Sequence, residues 1–238
     1  MNFKMQLFYN PNIKEKDKTF AFDKEESKHI VKVLRKKEGD KIHLSNGEGN
    51  YFLGEIILAS DKKCEIKIIE TKCIEPKRYR IHIAVAPTKM NDRYEWFLEK
   101  ATEIGIDEIT PIICDHSERK VFKIDRAEKI IQSAMKQSLQ YYIPKINEPI
   151  GFSDFIQKNF SEKKFIAHCE DQQKISFKET IRKEEHIIIL IGPEGDFSTN
   201  EIKLALNNNY IPVTLGNNRL RTETAAIVAC HTVALINE

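Results

Sequence analysis

Five cysteines are scattered through 238 residues, odd in number and without a Cys-x-x-Cys pair. Such spacing suggests neither a disulfide framework nor a zinc site. It fits a reducing cytoplasm, with the five serving as small buried hydrophobes. Long apolar runs are missing too. Ile187–Ile191 and, with one histidine, Ile81–Val85 are strand-sized, far below the roughly 18 residues needed to span a bilayer. The first residues mix Asn2, Lys4 and Gln6 into apolar positions, so no signal-peptide core is expected. There is no Gly-x-x-x-x-Gly-Lys-[Ser/Thr], no His-Glu-x-x-His and no Gly-x-Ser-x-Gly. After Val85 the chain reads Ala86-Pro87-Thr88-Lys89 instead of a Gly-x-Gly-x-x-Gly loop. Common nucleotide and hydrolase machineries are therefore unsupported. The seven histidines (29, 43, 82, 116, 168, 186, 231) have no metal-ligand spacing, so no metal is expected and each is read as structural. Net charge is nearly absent as well, at +2, which on its face speaks against a polyanionic partner.

The charge that is present is unevenly placed. Residues 1–75 carry 15 basic and 13 acidic side chains, whereas the remainder balances at 23 and 23. Lys28–Lys37 (KHIVKVLRKK) holds five cations, one His and no acid. Such a run is commonly just a solvated helix face, yet it is the best candidate here for a footprint on a polyanion. It overlaps the one helical pattern of the first seventy residues, Asp23–Arg35, which has Asp23 as N-cap and Ile30, Val31 and Leu34 on one face. Around it, Lys41–Ser45, Tyr51–Leu58 and Cys64–Ile69 alternate like strands, and Asn46-Gly47-Glu48-Gly49 has the composition of a hairpin turn. A small β-barrel-like module is expected.

Ile74-Glu75-Pro76-Lys77 breaks this pattern, which places an expected boundary between a domain at 1–74 and another at 75–238. Beyond it, strand candidates (Arg80–Ala86, Glu108–Ile113, Lys164–His168, His186–Ile191, Ile211–Leu215) alternate with helix candidates (Asp92–Ile104, Asp125–Leu139, Thr199–Asn207, Thr222–Ile236). That alternation predicts an α/β domain with a parallel sheet flanked by helices. Ligands of such sheets bind beyond the carboxyl ends of the strands, and two of these ends are unusual. One is Ile187–Ser198 (IIILIGPEGDFS), an apolar strand running into glycines and then into Ser198 or Thr199 as a helix cap, with Glu201 in the first turn. The other is Val213–Ala225 (VTLGNNRLRTETA), where Arg219, Leu220, Arg221, Thr222 and Glu223 lead into a small, apolar helix. Taken singly, the first reads equally well as an ordinary strand-to-helix connection, and the second as an ion pair capping a helix.

Together they resemble a known pattern. Ile191-Gly192-Pro193-Glu194-Gly195 with Phe197-Ser198, then Leu215-Gly216 and Leu220-Arg221-Thr222-Glu223-Thr224-Ala225, are similar to the signature of the RsmE family, bacterial 16S ribosomal RNA (uracil-N(3))-methyltransferases of the SPOUT class. Lys89–Ile104, Ala134–Pro144 and Lys28–Arg35 extend the resemblance across essentially the whole chain, in order. It implies a PUA-like RNA-binding barrel followed by an α/β SPOUT domain with a deep C-terminal trefoil knot, an exception to the rule that chains do not thread. S-adenosyl-L-methionine would bind in the knot, at Leu190, Gly192, Pro193, Glu194, Gly195, Leu215, Gly216, Asn217, Arg219, Leu220, Thr224 and Ala225. Arg221 and Glu223 would be catalytic, Arg221 stabilising a uridine anion and Glu223 either orienting Arg221, the favoured role because an Arg-paired carboxylate is a weak base, or taking the proton. RNA would be held by His29, Lys32, Arg35 and Lys36, with Lys89 and Arg93 adding to it.

The implied partners are 16S ribosomal RNA within the small ribosomal subunit and a second copy of the chain packed through the apolar C-terminal helix. The chain departs from the family pattern at three places. Asp196 stands for a second Gly, Asn217-Asn218-Arg219-Leu220 for Pro-Arg-Ile-Leu, and Lys136 and Gln140 for Glu and Arg. These departures keep an alternative in view, an RNA-binding assembly factor that retains the fold without the chemistry. An enzyme acting on a phosphorylated nucleotide is the weaker rival, because Glu194 and Asp196 would repel phosphate from the first loop.

Overall fold

The computed structural model describes residues 5–171 and 173–238; Asn2 and Lys4 of the polar start lie outside them. The chain forms two compact units that do not separate at one point along it. The first holds the residues up to Pro76 together with Met135–Ile143, and the second holds Lys77–Ala134 and Pro144–Glu238.

In the first unit, β1 (Leu7–Tyr9), β2 (Thr19–Ala21), α1 (Lys24–Lys28), β3 (Lys41–Ser45), β4 (Asn50–Ala59) and β5 (Cys64–Cys73) build a sheet in the order β1-β3-β4-β5-β2. Only the β1–β3 pairing is parallel. Alternation along the strands sends Ile42, Leu44, Phe52, Ile56 and Ile66 into one core with Phe8, Phe22 and Ile30. Asp23 caps α1 by accepting from the Glu26 amide at 2.8 Å. The helix predicted to run to Arg35 changes character sooner. His29–Val33 is a wider π turn, and the Leu34 amide bonds back to the His29 carbonyl. Arg35 then turns left-handed at φ 55, and the Lys36 amide returns to the Ile30 carbonyl. Arg35, Lys36 and Lys37 therefore occupy the turn after the helix, not a helix face.

The expected turn at Asn46–Gly49 is present, with the Asn46 side chain accepting from the amides of Glu48 and Asn50. A side chain at Gly49 (φ +91) would collide with the Tyr142 hydroxyl. Glycine there admits the later segment, whose Tyr141 carbonyl takes the Gly49 amide at 2.9 Å and whose Tyr142 hydroxyl donates to Ile74 at 2.7 Å. Lys136 and Gln140 thus lie in a stretch that belongs to this unit.

The second unit contains β6 (Arg80–Val85), α2 (Asn91–Ile104), β7 (Glu108–Ile113), α3 (Ile124–Gln137, its last residues counted with the first unit), β8 (Lys145–Ile146), β9 (Ile150–Gly151) and α4 (Phe152–Ile156). It continues with β10 (Lys163–Ala167), β11 (Ile175–Ser176), α5 (Phe177–Thr180), β12 (His186–Ile191), α6 (Thr199–Asn207), β13 (Ile211–Thr214) and α7 (Thr222–Asn237). The order is β11-β13-β10-β12-β6-β7-β8, with β9 on β7, and every pairing is parallel. Ile187–Ile191 is buried because β12 is flanked by β10 and β6 and covered on both faces. At the amino ends of β6 and β7 a buried polar group gathers. His82 lies 2.8 Å from the Thr110 hydroxyl, and Asn147 donates to Thr110 and Glu108. Burial holds the His82 pKa down, to about 4, against the pull of Glu108.

Cys64, Cys114 and Cys230 are the small buried hydrophobes expected, but Cys73 and Cys169 are exposed, so that reading is corrected for two of the five. No helix among the described residues is long and apolar enough to cross a membrane.

Candidate active site

The two loops singled out by sequence follow β12 and β13, which are not neighbours; β10 runs between them. Its carboxyl end, Ala167-His168-Cys169, therefore belongs to the same site. A cavity of about 320 Å³ opens here, lined by Ala167, Cys169, Ile191, Gly192, Pro193, Glu194 and Asp196 on one side, and by Arg219, Leu220, Arg221, Thr222 and Ala225 on the other. A smaller recess of about 90 Å³ shares Ala167, Cys169, Arg219, Leu220 and Ala225 with it and is otherwise walled by His168, Val213, Thr214, Leu215, Gly216 and Asn218. Ala167, Ile191, Val213, Leu215, Leu220 and Ala225 offer aliphatic faces to a flat ring system, and Glu194, Asp196, Arg219 and Arg221 are the charged groups of the lining.

The first loop is fixed by its own carboxylates. Glu194 accepts the Lys89 amide at 2.9 Å, tying the loop to the connection after β6. Asp196 takes the left-handed conformation (φ 65), and its oxygens accept the amides of Cys169 at 2.7 Å and Phe197 at 2.9 Å. The family pattern has glycine here because that backbone region is free to glycine; aspartate is among the few side chains that tolerate it. The departure at Asp196 thus leaves the cavity open. Nδ1 of His116 lies 3.1 Å from the carbonyls of Gly195 and Asp196, which fixes the proton on that nitrogen. Of the two expected candidates, Ser198 caps α6, and with Glu201 it makes a reciprocal capping pair.

The second loop ends on α7, with Arg221 as its N-cap residue, exposed at the cavity's edge. The Thr222 hydroxyl donates to the Gly192 carbonyl at 3.0 Å and joins the two loops directly. Glu223 does not pair with Arg221 as expected. It is buried, one oxygen lies 3.9 Å from Nε of Arg93, and the other has no hydrogen-bond partner among the described residues. One helical step beyond Thr222 turns its side chain away from the cavity, toward α2.

Of the other expected cofactor contacts, Gly192, Pro193, Glu194, Leu215, Gly216, Arg219, Leu220 and Ala225 line the two spaces. Leu190 is buried in the sheet, and Gly195, Asn217 and Thr224 are absent from both linings. Ala167, His168, Cys169, Asp196 and Thr222 were missed as site residues. The signal available was that β10 is also a strand of the parallel sheet, but its place between β12 and β13 is not written in its own residues.

Several expected RNA contacts already have partners. His29 lies 3.2 Å from Glu26, Lys32 3.5 Å from Asp61, and Lys89 2.7 Å from Glu118, while Lys36 donates to the Lys41 carbonyl. These are largely exposed contacts that contribute little and exchange readily for phosphate. Arg35 and Lys32 are exposed.

Comparison with known proteins matches residues 75–234 to an RNA methyltransferase domain and residues 22–69 to an RNA methyltransferase PUA domain. The chain is 32% identical over 219 residues to a ribosomal RNA small subunit methyltransferase E of Buchnera aphidicola, covering 88% of this chain and 85% of that protein. It is similar to a crystal structure described as a probable rRNA-methyltransferase from Porphyromonas gingivalis (39% identity, TM-score 0.90, 98% of both chains). It is also similar to the ribosomal RNA small subunit methyltransferase E of Neisseria gonorrhoeae bound to S-adenosyl methionine (25% identity, TM-score 0.86, 98% of both chains).

Proposed function

The chain belongs to the RNA methyltransferase family, that of the ribosomal RNA small subunit methyltransferases E, and from this premise we propose that it methylates ring nitrogen 3 of one uridine in 16S ribosomal RNA with S-adenosyl-L-methionine as donor. The observation that carries this reading is a cavity with aliphatic walls at the carboxyl ends of parallel strands, with Arg219 and Arg221 in its lining and with Glu194 and Asp196 committed to backbone amides. An uncharged purine fits the aliphatic walls of that lining. The backbone of Gly192, Pro193 and Leu215–Leu220, with Ala225, would hold it. S-adenosylmethionine supplies an electrophilic methyl group when bound.

Ring nitrogen 3 of uracil bears a proton and is a poor nucleophile while neutral, so the protein must stabilise the uridine anion. Arg221, exposed at the cavity's edge, supplies positive charge there, and once the bound RNA excludes water such a contact is worth about 3 kcal/mol at the transition state. Glu223 is a positioning residue, and its neighbour is Arg93 instead of Arg221. Alignment of two bound reactants by rigid loops supplies much of the remaining acceleration.

The first unit docks the RNA through His29, Lys32, Arg35 and Lys36, with Lys89 and Arg93 contributing from the second. Phosphate contacts of this kind set register, while the target is chosen by RNA shape and base accessibility. The finer elements of the proposal are a trefoil knot around the two loops, a small-subunit substrate in the cytoplasm, and a homodimer through α7, whose Leu235 is 56% exposed. Mass spectrometry of 16S ribosomal RNA from a strain lacking the protein tests the whole: one uridine should lose a methyl group, and unchanged RNA refutes the reading. Arg221→Ala should reduce methylation at least a hundredfold while cofactor affinity stays within a few-fold of wild type.

A further inference from the structure

His168 directly follows β10 at the point between the two loops, and it lacks the hydrogen bonds of a satisfied core histidine. The residue is only 6% exposed, yet neither ring nitrogen has a hydrogen-bond partner among the described residues. The peptide group joining it to Cys169, by contrast, is held at both its carbonyl and its amide. Lys174 donates to the His168 carbonyl at 3.1 Å, and the next amide, that of Cys169, is held by Asp196 at 2.7 Å. Burial and then the charge of Lys174 lower its pKa, opposed by Asp196 and Glu170, so the ring is neutral and offers one N–H donor and one bare nitrogen acceptor. His168 is one of the residues that line the smaller recess, with Val213, Leu215 and Leu220. Buried polar groups are normally satisfied, and one fixed in place without a partner on a cavity wall points to a partner that arrives with a ligand.

We propose that His168 recognises the nucleoside part of the cofactor, at least one of its ring nitrogens forming a hydrogen bond with the adenosine seated in the recess. The aliphatic walls take the faces of the purine, and His168 is the polar group that sets its orientation. This rests on the cofactor reading above. Titration calorimetry of the full chain with S-adenosylmethionine, together with ¹⁵N spectra of the imidazoles, tests it. Wild type should bind, and the His168 signals, identified by their loss in His168→Asn, should shift on saturation. His168→Phe should weaken binding about tenfold, the loss of one well-made hydrogen bond, and His168→Asn should recover part of it. Unchanged affinity in His168→Phe, or an imidazole unmoved by cofactor in wild type, overturns the inference and leaves the cofactor reading standing. The second measurement decides even if His168→Phe fails to fold. Absence of binding by wild type overturns the cofactor reading itself, and this inference with it.

Discussion

Asp196 is where strain and bonding oppose each other most directly, and replacing it by the glycine of the family pattern separates them. Asp196→Gly relieves a left-handed aspartate, worth about 1 kcal/mol, but glycine's greater freedom in the unfolded chain returns roughly 0.5–1 kcal/mol of that gain. The substitution also removes acceptors from the amides of Cys169 and Phe197, at 2.7 and 2.9 Å. Each bond to a carboxylate contributes about 1.5 kcal/mol at this half-buried position, the low end of the range for charged acceptors. The net expectation is a loss of roughly 2–3 kcal/mol, read as a fall in Tm of roughly 4–12 °C for a unit of this size. Asp196→Asn tolerates the same backbone and keeps one acceptor oxygen, so about half the loss should remain. Because the freed Cys169 amide adjoins His168, cofactor affinity should fall alongside stability in Asp196→Gly. Thermal unfolding and calorimetry on the three proteins give the answer. An Asp196→Gly protein as stable as wild type and binding equally well would falsify the reasoning, since strain would then outweigh both hydrogen bonds.

Two further outcomes follow from the structure. His82 is neutral in the fold, with its pKa lowered from 6.5 to about 4. Between those values the unfolded chain takes up a proton that the native chain refuses, so stability is fully present above pH 6.5 and is lost as pH falls toward 4, by roughly 3 kcal/mol. Urea midpoints across that window should fall steadily, and His82→Gln should flatten the slope; a slope of equal size in both proteins refutes the assignment. Replacing Lys32 and Arg35 together by Ala should weaken RNA binding and reduce the slope of log K against log salt by about 1.4 to 1.8, the value for two phosphate contacts. An unchanged slope in fluorescence anisotropy titrations would remove the footprint from the turn after α1.

Much of the architecture follows from residue order alone. The alternation of Arg80–Val85, α2 and Glu108–Ile113, and later of His186–Ile191, α6, Ile211–Thr214 and α7, appears close to where hydrophobic periodicity indicates, because those signals are local. Short elements such as β8, β9, β11, α4 and α5 leave little periodicity to read. Their backbone geometry is set by neighbours, and β9 exists through its pairing with β7. The Asp23 cap and a cap at Ser198 or Thr199 were legible because each is a capping residue type directly before a periodic segment. The π turn at His29–Val33 was not, since it depends on carbonyls finding amides five and six residues away.

The near-neutral total charge said little about RNA, and its local excess after Lys28 was the informative part. What the residues determined by themselves is the identity of the two loops and their chemistry: glycines for close backbone approach, Arg221 for positive charge, and no device for phosphate. Tertiary structure decided which groups share that site. The order β13-β10-β12 inserts His168 and Cys169 between the loops, the burial of Glu223 aims it at Arg93, and Asp196 is spent on the Cys169 amide. These pairings join residues from 27 to 130 positions apart in the sequence. Contacts over such distances are selected by the packing of the whole sheet, so no window along the chain contains them.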